Sequence, residues 1–310
     1  MKKFLLFIAL IICISIASVY LFIPKNIIVN RIVYSGVKST SILRALHDDS
    51  KWQQWFPGEN ENGNFAYNHQ TYKPGKKEYS SLAVSIANNN TVYSSLINVI
   101  GFNFDSSALQ WNLEFKASNN PFKRIEQYQA AKKIKEDMDI VLGDFATFVQ
   151  QTKNIYGLNI KRTTLTDTAL VSIKKVSKQY PSTQQIYSMV DELKQYIQQQ
   201  HAEEHNYPML NITWLKNSSC EVMVGIPTNI PLEGNNIIKP KRMVMLKNKT
   251  VVTDVTGDNA AIQQAFKATN NYMNDYQLSS PVIPFQQLIT NRSKEKDSTK
   301  WVTKIFTPFS

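Results

Sequence analysis

Residues 186–208, IYSMVDELKQYIQQQHAEEHNYP, and residues 262–284, IQQAFKATNNYMNDYQLSSPVIP, decide how this chain is organised. Laid over each other at a shift of 76 positions, they match at Ile186 and Ile262, Val190 and Phe266, Tyr196 and Tyr272, Ile197 and Met273, and Pro208 and Pro284. The apolar matches fall on one face of a helix, and both copies reach a proline that a helix interior does not tolerate. With five more residues inserted, Val224-Gly225-Ile226-Pro227 lies on Ile305-Phe306-Thr307-Pro308. Each copy reads strand, helix, strand, strand, with room for one more strand at its start. Residues 170–176 and 250–255 are the strands before the helices. Residues 210–215 with 221–226, and 285–290 with 301–306, follow them. A period of this kind marks a duplicated unit, here spanning residues 154–310.

Upstream, residues 26–153 follow a different plan. Ile27, Ile28, Val29, Ile32, Val33 and Tyr34 make one strand. Gly36 and Ser39-Thr40-Ser41 then offer helix starts before Ile42, Leu43, Leu46, Trp52 and Trp55, and Pro57-Gly58 closes this part. From residue 65 to 115, β-prone runs alternate with turns at Pro74-Gly75, at 88–90 and at Gly101. Val84, Ile86, Val92, Tyr93, Leu96, Ile97, Val99, Ile100, Leu109, Trp111, Leu113 and Phe115 supply the inward faces of an antiparallel meander. Pro121 opens a long amphipathic helix through Ile125, Tyr128, Ile134, Met138, Val141, Leu142, Phe145, Phe148 and Val149, which should lie across the meander.

Residues 4–23 carry no charge, and as a helix they would span ~30 Å, one hydrocarbon core. Residues 1–25 therefore read as a transmembrane anchor. The competing reading is a cleaved signal peptide, but the run ends in Val19, Tyr20, Leu21 and Phe22, too bulky for a small-x-small site. Lys25, Arg31 and Lys38 rival Lys2 and Lys3 under the positive-inside rule, and long domains translocate regardless of charge, so the expectation is a soluble part outside the cytoplasm.

The order of strand, short helices, meander and closing helix resembles the START-like (SRPBCC) superfamily. The residues that carry it are the strand at 26–35, Lys51-Trp52-Gln53-Gln54-Trp55-Phe56-Pro57, Trp111, and Asn120-Pro121-Phe122 at the start of the long helix. That resemblance implies a helix-grip cavity lined by Trp111 and Phe115. The duplicated unit resembles the GyrI-like effector-binding domain, most clearly in residues 281–289 and in Trp301-Val302-Thr303-Lys304-Ile305-Phe306-Thr307-Pro308-Phe309. It implies a ligand groove lined by Trp214, Tyr272, Phe285 and Trp301. Where members often carry acids, this chain has Gln286 and Lys304, and an acid would favour a bound cation whereas a lysine repels it. Lys239, Lys241, Arg242, Lys247 and Lys249 add to this balance. The ligand expected is small, hydrophobic, and neutral or anionic. The fold class expected is α+β: a helix-grip antiparallel sheet with a long C-terminal helix, then a duplicated β-β-α-β-β domain.

Composition narrows the function. The chain has 310 residues and 43% hydrophobic content, enough for packed domains. Its 35 basic against 24 acidic residues are spread without an arginine-rich helix, so no nucleic-acid partner is expected. His201-Ala202-Glu203-Glu204-His205 matches the inverzincin order. It lies at the polar end of its helix, two residues before Tyr207-Pro208, and lacks a third ligand, so no metal is expected. Cys220 stands alone, no glycine loop cradles a phosphate, and no cofactor is expected. Asp254 and Asp258 read as helix-capping acids beside Gly257. Glu136, Asp137 and Asp139, interleaved with Lys132, Lys133 and Lys135, read as mostly a solvated helix face. These features describe a non-catalytic sensor or carrier. The alternatives are a hydrolase using Glu114 or Glu221 in a cavity, and an interaction protein at the membrane surface.

Overall fold

In the computed structural model, which describes residues 2–88, 91–216 and 218–310 apart from the side chains of residues 2, 3 and 5, the chain divides into two units, Met1–Ile155 and Tyr156–Ser310. The first begins with α1 (Lys2–Phe22), β1 (Asn26–Ser35), α2 (Ser39–Leu46) and α3 (Asp49–Trp55). The meander follows as β2 (Glu59–Glu61), β3 (Asn64–Tyr67), β4 (Gln70–Lys77), β5 (Ser81–Asn88), β6 (Thr91–Asn103) and β7 (Ser106–Lys116). It closes with α4 (Pro121–Phe148), and α5 (Thr152–Tyr156) leads to the second unit. Seven antiparallel strands stand in the order β1-β7-β6-β5-β4-β3-β2. Pro121 opens α4 without a donor to waste, and the Asn120 side chain accepts from the backbone N–H groups of Phe122 and Lys123.

The apolar stripe of α4 buries Ile134, Met138, Val141, Leu142 and Phe145. Rings fill the space beside it: Trp55 lies 4.5 Å from Phe145 and 4.6 Å from Trp52, and Tyr72 lies edge-on to Trp111 at 6.0 Å. Two expectations change here. Val92 and Ile100 are exposed, because on β6 the inward set is Tyr93, Ser95, Ile97 and Val99 and a period of two sends the others out. Asp137 is not on the solvated face of α4 but 2% exposed beneath it. Its carboxylate accepts from the Tyr72 hydroxyl at 2.7 Å and from Asn68 Nδ2 at 2.8 Å, which makes its burial tolerable. Burial and this bond hold the Tyr72 hydroxyl above the usual tyrosine range.

Apolar side chains of α1, among them Phe4, Leu6, Phe7, Leu10, Ile11, Ile12 and Ile14, are exposed on all sides of the helix. Among the described residues no helix is long and apolar enough to cross a membrane. At the end of α1, Arg124 donates from Nε and Nη2 to the Ile23 carbonyl, and its guanidinium lies 4.9 Å from the Tyr20 ring.

The second unit contains β8 (Ile160–Leu165), β9 (Thr168–Ser177), α6 (Thr183–Gln199), β10 (Met209–Trp214) and β11 (Cys220–Pro227). Its second copy contains β12 (Lys239–Met243), β13 (Leu246–Thr256), α7 (Asn259–Asp275), β14 (Phe285–Leu288) and β15 (Val302–Pro308). The duplication is visible in the caps: Ser182 and Asp258, 76 residues apart, cap helices of 17 residues each. The strand order β12-β9-β11-β10-β14-β15-β13-β8 reads the same from either end once the copies are exchanged. The first strand of each copy therefore pairs with the other copy, β8 with β13 and β12 with β9. Leu210 and Gln286, equivalent by the repeat, face each other across β10 and β14, which places the pseudo-twofold axis between them. The chain is thus α+β, a helix-grip sheet followed by a duplicated β-β-α-β-β domain.

Candidate functional site

Strand alternation in the second unit gives its sheet two unlike faces. On β9 and β11, Val171, Ile173, Val222, Val224 and Ile226 pack against Ile186, Val190, Leu193 and Ile197 of α6. Leu170, Ser172, Lys174, Met223 and Gly225 point the other way, toward the face opposite α6. There the two copies differ. Met209 stands directly opposite Gly225 between β10 and β11, and in the second copy the same pair is Phe285 opposite Phe306. Phe285 and Phe306 stack at 4.9 Å with planes 9° apart and fill their half of the face. In the first copy Gly225 carries no side chain, the end of Leu170 packs over it, and both line a groove of about 340 Å³.

The groove is lined by Leu165, Leu170, Met209, Met223, Met243 and Phe285, with Lys241, Arg242, Val244, Leu246, Val282 and Ile283 along its edges. Its walls are predominantly aliphatic and thioether, which suits a flexible apolar ligand more than a flat cation that needs an aromatic cage. Two cations at its margin are neutralised. Lys174 pairs with Glu221 at 2.9 Å, and Arg242 grips Asp167 through two bonds of 2.9 and 2.7 Å. That grip, chiefly the hydrogen bonding, holds the Asp167 carboxyl below its usual range. Lys241 faces Leu170 across β12 and β9 and, among the described residues, has no ion-pair partner.

Of the residues expected in this groove, only Phe285 lines it. Trp214 sits at the end of β10, 57% exposed, 6.4 Å from the Tyr180 ring. Tyr272 belongs to the core under α7, stacked on Tyr276 at 4.5 Å, with its oxygen accepting from Arg162 Nε. Gln286 is buried on the helix side of the sheet, where its Oε1 has no donor. Trp301 is buried as well, donating Nε1–H to the Glu295 carbonyl at 2.9 Å. Lys304 stands in the second copy, 3.7 Å from Asp254 in the facing strand, so Asp254 pairs across β13 and β15 rather than capping α7; Asp258 does cap it. The signal in the sequence for this groove is the repeat alignment, which sets Gly225 against Phe306.

In the first unit, Trp111 is fully buried and donates its indole N–H to Ser95 Oγ at 2.9 Å, while Phe115 is half-buried 4.6 Å from the Tyr93 ring. Glu114 is exposed on β7. The His201–His205 motif does not lie on a helix. α6 ends at Gln199, His201 takes a left-handed φ of 54°, and Glu204 pairs with Lys194 at 2.7 Å. Among the described residues no group of histidine, cysteine and carboxylate side chains could hold a metal ion. Cys220 is buried with its Sγ 3.1 Å from the Gln179 carbonyl.

No family model and no curated protein matches the chain. Among solved structures, EcmrR in an EcmrR–DNA complex is similar over 62% of this chain and 72% of its own, at 15% identity and a TM-score of 0.45. The EcmrR C-terminal domain is similar over 49% of this chain and 98% of its own, at 13% identity and a TM-score of 0.40. The Zhui aromatase/cyclase from Streptomyces sp. R1128 is similar over 40% of this chain and 94% of its own, at 12% identity and a TM-score of 0.31.

Proposed function

We propose that this protein binds a small hydrophobic ligand, neutral or anionic, in the groove of its second unit and does not transform it. The observation that carries this reading is the aliphatic groove that Gly225, Leu170 and Met209 line, at the place where the other copy stacks Phe306 on Phe285. Three carboxylates support non-catalytic binding: Glu221 is committed to Lys174, Asp137 to Tyr72 and Asn68, and Glu114 faces solvent. In this reading the first unit is a START-like scaffold whose Trp111 and Phe115 serve the core, and the second is a GyrI-like binding module. A membrane anchor at residues 1–25, with the soluble part outside the cytoplasm, belongs to this reading; the exposed apolar side chains of α1 favour the anchor.

Binding of the full chain in non-ionic detergent is tested by titration with a neutral lipophilic dye such as Nile red, and by native mass spectrometry for a co-purified compound. A single saturable dye site is the expected result. Tetraphenylphosphonium that displaces the dye better than a neutral compound of the same size would overturn the charge preference, and no saturable binding would overturn the function.

A further inference from the structure

The two copies of the second unit differ again where each passes from its first strand to its second. Both crossovers are two residues long: Thr166-Asp167 between β8 and β9, and Val244-Met245 between β12 and β13. The same strand pairs flank them, Leu165 with Leu246 on one side and Thr168 with Met243 on the other. One copy makes the link with polar residues, so the backbone does not require valine and methionine in the other. Val244 and Met245 are nevertheless exposed, as are Val282 and Ile283 just before β14, with values between 47% and 65%. Val244, Val282 and Ile283 border the same groove, so these side chains form one apolar lip rather than scattered positions.

The lip has a basic collar. Residues 239–249, KPKRMVMLKNK, hold five bases and no acid, and all five are exposed. The equivalent stretch of the first copy, residues 161–171, KRTTLTDTALV, holds two bases and one acid and exposes no large apolar side chain, so lip and collar occur together in one copy only. Arg242 is held by Asp167, and Lys239 Nζ donates to the Asn235 carbonyl at 3.1 Å. Lys241, Lys247 and Lys249 have no ion-pair partner among the described residues. No residue lining the groove is acidic. A solvated loop would account for the lysines but not for the apolar side chains set among them. A bilayer with anionic headgroups accounts for both, because lysine stems reach along the interface to the phosphates while short apolar tips enter the acyl boundary.

We propose that this lip docks on an anionic lipid bilayer, with Val244, Met245, Val282 and Ile283 in the interface and Lys241, Lys247 and Lys249 on the headgroups. Docked in this way, the mouth of the groove opens onto the bilayer, and a hydrophobic ligand reaches it without crossing water. That consequence rests on the groove reading; the docking itself does not.

The test labels the full chain, carrying Cys13→Ser, at Met245→Cys with nitrobenzoxadiazole, and reads the emission on vesicles recovered by flotation. Cys220 is buried and takes no label. Vesicles of equal parts phosphatidylglycerol and phosphatidylcholine are compared with phosphatidylcholine alone. The emission should move to the blue on the anionic vesicles only, while a label at Ser293→Cys, beside α6, should keep its aqueous wavelength. Lys247→Gln with Lys249→Gln should lower the ratio of docked to free protein ~30-fold, about 5-fold for each lysine. Val244→Ser with Ile283→Ser should diminish the blue shift. All four positions are exposed, so both double variants should keep the wild-type unfolding curve. Protein that does not float, or a label unshifted on anionic vesicles, would overturn the proposal and leave the lip to an acidic protein partner. An equal shift on both kinds of vesicle, or one that survives the loss of both lysines, would overturn it as well. Nile red titration in detergent reads the groove separately, so either reading can fail without the other.

Discussion

Replacing Gly225 with phenylalanine should close the groove by copying into the first half what the second half already contains. A Cβ at Gly225 would lie 2.8 Å from Leu170 Cδ1 and 3.6 Å from the Val171 carbonyl oxygen, so the flexible end of Leu170 must give way into the groove. The new ring would meet Met209 directly across the strand pair, as Phe306 meets Phe285. Overpacking of this kind costs about 1–3 kcal/mol of stability, less than a domain's usual margin. A ligand excluded from about three methylenes' worth of contact, at ~0.8 kcal/mol each, loses ~2.4 kcal/mol, or ~50-fold in Kd. The assay is Nile red titration of the variant beside its thermal unfolding curve. Adding Leu170→Ala should return part of the space and part of the affinity. A variant that unfolds cooperatively yet keeps the wild-type Kd would refute the assignment of ligand to this groove.

Lys241→Gln should leave the affinity of a neutral dye unchanged and weaken decanoate relative to decanol by ~2- to 5-fold, the range of an exposed ion pair, as read by dye displacement. Tyr72→Phe should destabilise the first unit by about 1–3 kcal/mol in urea unfolding, because the buried Asp137 carboxylate loses a donor. The same hydroxyl sets an alkaline limit. Its folded-state pKa lies above the ordinary value of 10.0, so the contribution is complete below pH ~10 and is lost as the unfolded chain ionises above it. Stability falling from pH 10 upward in the wild type, with that component missing from Tyr72→Phe, is the expected result. Gln286→Leu should raise Tm, since it removes a buried acceptor that has no donor, and a fall in Tm would show that Gln286 is hydrogen-bonded in solution.

The elements were legible in the sequence wherever periodicity and punctuation agree. The run at 26–35 lies between Pro24 and Gly36, and the long helix begins at an Asn-Pro that supplies both cap and first turn. Asp137 was not legible. Its neighbours alternate in charge as a solvated face does, and only tertiary structure brings the β3–β4 turn, with Asn68, and Tyr72 beneath it. Aromatic residues do not mark the aliphatic groove for a related reason: in a duplicated sheet the helix-covered side claims most large side chains. Tyr272 and Trp301 are there because burying each ring is worth more in the core than on a half-open surface.

The same physics explains why the two halves of a symmetric architecture differ on one face. The helix-facing side must be filled twice, so both copies keep buried bulk there, as Ile186 and Ile262 or Val224 and Ile305 do, even where Gln286 replaces Leu210. The other face carries no such requirement, and there the copies diverge: Gly225 against Phe306, Met223 against Lys304, Met209 against Phe285. Each change moves apolar volume or charge away from a sheet surface that the other half retains. Larger changes of volume on one face of a duplicated sheet are what a packing constraint on the opposite face permits. A functional site should therefore be sought where equivalent positions differ most in volume. In this chain that comparison singles out Gly225, and Phe306→Gly should open the second half by the same logic, adding a dye site that the wild type lacks.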